Sequence, residues 1–248
     1  SAPHHKTLGS YWFTALAIRI FGNSELALRL PSIVSSFLCL ICTYLIALKI
    51  TSKKSALISV CSLSSMPLWI QYSRYASPDL PFVFCILLSI LFFLKSLDPS
   101  QFIRHYFFIL LSGLFISTSF FIRSYMVFIP FIGLSPFVIF HLFRKDIIFK
   151  ISFFSGILLG SLPTFINFYF SFQSYGIKGI TSFFDFAKKQ AIGDFNFSNL
   201  LLLPINFLYL TFPVGILFLI LFAFTRSNNK INYPLLIYCY PLISLTLL

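Results

Sequence analysis

Acidic side chains are nearly missing from this chain: six Asp and Glu stand against 18 Lys and Arg in 248 residues, and charged residues make up only 10% of the total. A water-soluble domain of this length needs roughly a quarter of its residues charged to cover its outside. An ordinary soluble fold is therefore excluded, and the outside must be lipid. The signatures of soluble enzymes are missing too. There is no Gly-rich phosphate loop, no H-E-x-x-H, no G-x-S-x-G and no paired metal-binding cysteines, which removes nucleotide-loop, zincin and serine-hydrolase chemistry from consideration. No repeat or low-complexity tract stands out. The chain begins at Ser1 without a charged n-region, apolar h-region and cleavage site, so it is expected to be a fragment.

What is present is apolar. Hydrophobic residues make up 58% and aromatic residues 20% of the chain, and the mean hydropathy is +0.92. The 35 phenylalanines read as lipid-facing filler. The formal charge of +12 would suit nucleic acid, but the basic residues lie in short gaps between apolar runs rather than in a polar stripe, so anionic headgroups or a phosphate-bearing lipid are the expected partners and nucleic acid is not. All five cysteines, Cys39, Cys42, Cys61, Cys85 and Cys239, fall inside apolar runs. There they read as small buried hydrophobes, and the "CLIC" spelling at 39–42 has no second pair with which to hold a metal.

A bilayer core takes about 20 helical residues to cross. Apolar runs between charges give spans near 30–50, 55–70, 80–94, 106–122, 124–142, 151–171, 200–224 and 233–248, the last one cut. The runs are continuous, without the alternation of barrel strands. The fold class expected is therefore all-α: one polytopic helical bundle over 1–248 with about eight spans. Residues 1–29 form an outer segment, 30–170 six spans, 171–199 a longer loop and 200–248 two spans.

Orientation follows from the turns. Lys49, Lys53 and Lys54, then Lys95 and Arg104, then Arg144, Lys145 and Lys150, then Arg226 and Lys230 occupy successive turns on one side. By the positive-inside tendency that side is cytoplasmic. Arg74 and Arg123 sit in the short turns opposite, beside the two longer segments. Of those, 9–22 mixes Tyr11, Trp12 and Phe13 with Arg19 as an interfacial helix does. The other, 171–199, holds a short amphipathic stretch in which Phe183, Phe184 and Phe186 lie near Lys188 and Lys189.

In such a chain the ionisable residues carry the information, since a charge at mid-membrane costs at least about 2.5–3.5 kcal/mol on insertion scales. The break "QYSRYASPDLPF" at 71–82 holds Arg74 and Asp79. Helix chemistry accounts for part of it, with Ser77 as N-cap, Pro78 at the first helical position and Asp79 in the first turn. The same pair also suits an anion-handling cavity, Arg74 offering a forked donor to a phosphate and Asp79 orienting a partner. Arg123 interrupts an apolar stretch from Tyr106 to Leu142 on that same side. It reads either as a turn arginine or as a cavity residue. His4 and His5 read as solvated loop residues, Lys6 as a point charge suited to phosphate, and Glu25 with Arg29 as a same-face helix pair. "NFS" at 196–198 spells a glycosylation acceptor of the kind chance supplies.

The run "KTLGSYWFTALAIRIFGNSELALRLPS" at 6–32 strongly resembles the polytopic glycosyltransferases that use polyprenyl-phosphate sugars, among them protein O-mannosyltransferases, aminoarabinose transferases of lipid A and rhizobial lipopolysaccharide transferases. The matching positions are Lys6, Tyr11, Trp12, Phe21, Gly22, Ser24, Glu25, Ala27, Arg29, Leu30, Pro31 and Ser32. The family's Arg-x-x-x-Pro-Asp element is similar to Arg74, Pro78 and Asp79, and its later lysine falls near Arg123.

The resemblance implies a GT-C architecture with its active site on the extracytoplasmic face, in a bacterial inner membrane. It implies an inverting transfer from a polyprenyl-phosphate sugar to a lipid, glycan or protein hydroxyl, with no metal, nucleotide or cofactor. Lys6, Arg74, Asp79 and Arg123 would bind the carrier phosphate. Two departures stand out: Thr7 and Leu8 replace the prolines after the lysine, and the acidic pair of the first outer loop is missing. Asp79 is the one acidic residue considered as a substitute base, and the chain alone is expected to be inactive. A lipid-linked-sugar transporter and a non-catalytic membrane subunit remain as alternatives.

Overall fold

The computed structural model describes residues 9–98 and 102–182. Lys6, His4 and His5, Cys239, the acceptor triplet at 196–198, the stretch 183–199 and both expected spans of 200–248 lie outside them. Among the described residues the chain is helical throughout, with no strand: α1 (Gly9–Phe21), α2 (Glu25–Ile50), α3 (Lys53–Ser64), α4 (Pro67–Arg74), α5 (Asp79–Ser96), α6 (Phe102–Arg123), a 3-10 turn (Ser124–Val127), α7 (Phe128–Arg144) and α8 (Ile147–Tyr175).

Local chemistry sets these boundaries. Gly22, at φ 80°, takes the left-handed conformation that closes α1. Ser24 then caps α2, its hydroxyl accepting from the Ala27 N–H at 3.2 Å. Glu25 and Arg29 form the expected i,i+4 pair on the exposed face. The single span expected at 55–70 is built differently: it breaks at Ser65 and Met66 into α3 and α4. Pro67 causes this, since its ring lacks an N–H and clashes with the carbonyl a turn earlier, so it starts a new helix instead of continuing the old one. The span expected at 124–142 likewise opens as a 3-10 turn, and α7 has 17 residues.

Among the described residues four helices are long and apolar enough to cross a membrane: α2, α5, the Arg104–Arg123 part of α6, and α8. The chain is an integral membrane protein, and Phe37, Ile151, Phe154 and Leu158 stand exposed on its long apolar helices, where lipid takes the place of a packed neighbour. Polar and small residues hold the helices together instead. α2 turns a stripe of Ala27, Ser32, Ser35, Cys39 and Cys42 inward, and Cys39 reaches the Leu80 carbonyl at 3.8 Å. Cys39, Cys42 and Cys85 are buried as expected, whereas Cys61 is exposed.

Between α5 and α6, Ser89 and Ser112 each donate to the other's carbonyl, at 2.8 and 2.9 Å. Between α6 and α8, Gly113, Gly156 and Gly160 bring two backbones together. A Cβ on Gly156 would run into the Leu110 carbonyl, and one on Gly160 into the Leu114 carbonyl. Two apolar clusters flank the serine pair. One joins Phe82, Cys85, Ile86, Ile122 and Val127; the other joins Phe93, Ile109, Phe149 and Phe153.

These contacts define two ends. Lys49 bonds Asp98 at 2.9 Å where α2 and α5 finish, and His105 at the start of α6 bonds the Ser96 carbonyl. The other end holds the starts of α2 and α5 and the finish of α6.

Candidate functional site

The starts of α2 and α5 and the finish of α6 converge where the apolar runs break. α5 begins at Asp79 with Pro78 as its cap, one residue later than a Ser77 cap would put it. Pro78 nonetheless has the angles of a first helical residue, φ −71° and ψ −9°. Ser77 still serves the helix end: its hydroxyl accepts from the Asp79 N–H at 3.3 Å and donates to Asp79 Oδ2. The other carboxylate oxygen, Oδ1, pairs with Arg123 Nη1. The two side chains keep 25% and 31% of their surface exposed, so the pair sits at a boundary, partly desolvated yet open to a ligand. Arg123 closes α6, where a cation also meets the negative end of the helix dipole.

Two further elements enclose this end. α1 lies against the last turn of α6, with the Trp12 ring edge-on to Phe121 at 5.2 Å. Gly9 allows this approach: a Cβ there would come within 2.6 Å of the Phe121 carbonyl oxygen. Tyr72, on α4, lies within electrostatic reach of Arg123. Below the pair, Ser32 of α2 is buried and bonds the backbone of Ser77.

The structure thus brings together two of the residues singled out from the sequence, Asp79 and Arg123, across 44 positions of chain. Arg74 is not part of that pair. It ends α4 with an exposed side chain and makes no ion pair among the described residues. Lys6 lies outside those residues. Sequence reasoning passed over Ser32 as a bonding group and Gly9 as a packing position. Both stand within the 6–32 run, and small residues at interfacial spacing were the signal for them.

Chemically, a guanidinium has five N–H donors in a planar fork. One carboxylate oxygen engages one of them here, which leaves capacity for an incoming oxyanion.

Residues 5–169 match the family model of dolichyl-phosphate-mannose-protein mannosyltransferases. The chain belongs to that family. This mannosyltransferase-family chain is also 43% identical over 82 residues to an uncharacterized protein of Aquifex aeolicus (strain VF5), a match covering 33% of the chain and 16% of that protein. Its fold is that of ArnT from Cupriavidus metallidurans, whose crystal structure in the apo state superposes with a TM-score of 0.72 at 16% identity. That match covers 99% of this chain and 44% of ArnT, so the chain spans less than half the length of either relative. Family and fold thus agree on a helical membrane protein of the mannosyltransferase family.

Proposed function

We propose that this chain is the membrane module of a glycosyltransferase that receives a polyprenyl-phosphate sugar at the Asp79–Arg123 end. The sugar passes there to a hydroxyl of a lipid, glycan or protein, on the extracytoplasmic face of a bacterial inner membrane. The observation that carries the reading is the Asp79–Arg123 pair itself. A partly exposed arginine at a helix end, beside lipid-facing surface and an aromatic interfacial helix, suits a ligand with a phosphate head and an isoprenoid tail. The orientation rests on Lys49, Lys53, Lys54, Lys95, Arg104, Arg144 and Lys145, which stand at the turns of the opposite end.

In the reaction the acceptor oxygen attacks the anomeric carbon as the bond from that carbon to the phosphate oxygen breaks, with inversion. The electron pair leaves with the phosphate, and Arg123 stabilises the growing charge. The acceptor's proton passes to the departing phosphate or to water, since both oxygens of Asp79 are engaged by Arg123 and Ser77. No step calls for a metal or a nucleotide.

The test uses the full protein in proteoliposomes with a polyprenyl-phosphate sugar labelled in the sugar. Transfer should release polyprenyl phosphate, and Arg123→Gln should lower kcat/KM by about 10²-fold, the usual cost of losing one donor to a developing oxyanion. Movement of the intact donor across the bilayer without cleavage would replace this reading with transport.

A further inference from the structure

We infer that Ser32 is a positioning residue: through Ser77 and Asp79 it sets where the Arg123 guanidinium stands, and thereby how tightly this end of the bundle grips a lipid phosphate. The inference rests on the proposed role of Arg123 as the partner of that phosphate.

Ser32 is 1% exposed on the inward stripe of α2. Its hydroxyl accepts from the Ser77 N–H at 3.2 Å and donates to the Ser77 carbonyl at 3.0 Å. One side chain thus fixes both polar backbone groups of a single residue 45 positions away. The Ser77 N–H also turns back to the Tyr75 carbonyl at 2.9 Å, so the segment between α4 and α5 is held tight. From Ser77 the chain of contacts runs through its hydroxyl to Asp79 Oδ2, and from Asp79 Oδ1 to Arg123.

Without this relay the Asp79–Arg123 pair would depend only on a turn between two helices and on a long side chain at the last residue of α6. An unrestrained arginine must lose rotamer freedom when it grips an anion, and a restrained one has lost it already. The buried serine of α2 provides that restraint, which gives it a role beyond helix packing. Ser35 and Cys39 lie farther along the same stripe, and neither bonds the turn.

The experiment measures binding of a polyprenyl phosphate and of the matching uncharged polyprenol to the full protein in nanodiscs. Ser32→Ala should weaken phosphate binding by about five- to tenfold, the worth of roughly one hydrogen bond. Polyprenol binding should stay unchanged, whereas general damage to the bundle would lower both. In an Arg123→Gln background, Ser32→Ala should have no further effect on the phosphate. Undiminished phosphate binding in Ser32→Ala, an equal loss for both ligands, or a full additional loss on top of Arg123→Gln would each overturn the positioning role while leaving the proposed function standing. Undiminished phosphate binding in Arg123→Gln alone would overturn both. Should Ser32→Ala fail to assemble, Ser77→Ala cuts the same relay one link further on, and the same outcomes decide.

Discussion

Replacing Asp79 with Ala leaves Arg123 without its counter-ion at the end of α6, and the size of the loss follows from how deeply the pair is set. Exposed ion pairs contribute about 0–1 kcal/mol, while removing one partner of a buried pair costs about 3–5 kcal/mol. With 25% and 31% of the two side chains exposed, the pair lies between these limits, and either single variant, Asp79→Ala or Arg123→Ala, should lose about 2 kcal/mol. The double variant should lose less than the sum, because removing the second residue also removes the stranded charge. A coupling of about 1.5 kcal/mol is expected, within the range measured for contacting residues. Unfolding of the four proteins in mixed micelles, followed by loss of helicity, yields the cycle. Raising the salt concentration should shrink the coupling only in part, since partly buried charges are screened less than exposed ones. Losses that add within about 0.3 kcal/mol would mean that the two residues do not interact in the folded protein, and both the site and the relay through Ser32 would fall with the pair.

Gly160→Leu should force α8 off α6, because the added side chain meets the Leu114 backbone, which cannot yield; overpacking of this kind costs about 1–3 kcal/mol and should appear as a lowered melting temperature. Ser89→Ala and Ser112→Ala should each cost about 0.6 kcal/mol and be strongly non-additive, as expected of two hydroxyls that bond each other's helix. Gly9→Leu should detach α1 from the Phe121 turn, measured as faster hydrogen exchange across Gly9–Phe21 with exchange in α5 unchanged.

Much of this protein was legible before any coordinates. Shortage of acid, length of apolar runs and the placement of lysines in the turns imply a helical membrane body with two chemically distinct ends, because hydrocarbon accepts only backbones that satisfy their own hydrogen bonds. The 6–32 run pointed to the family, and the break at 71–82 pointed to Asp79. Local rules misjudged Pro67, where an apolar run long enough to read as one helix is cut into two.

Periodicity and spacing concern neighbours along the chain, so they assign residues to helices and to ends. They do not say which helix lies against which, and in lipid no hydrophobic drive between helices marks the contact faces. Only the tertiary structure decided that Asp79 meets Arg123 while Arg74 stands apart, and that a serine of α2 clasps a turn 45 residues on. Those choices come from close approach at glycines and hydroxyls, whose small size permits contact but whose partner no linear pattern names.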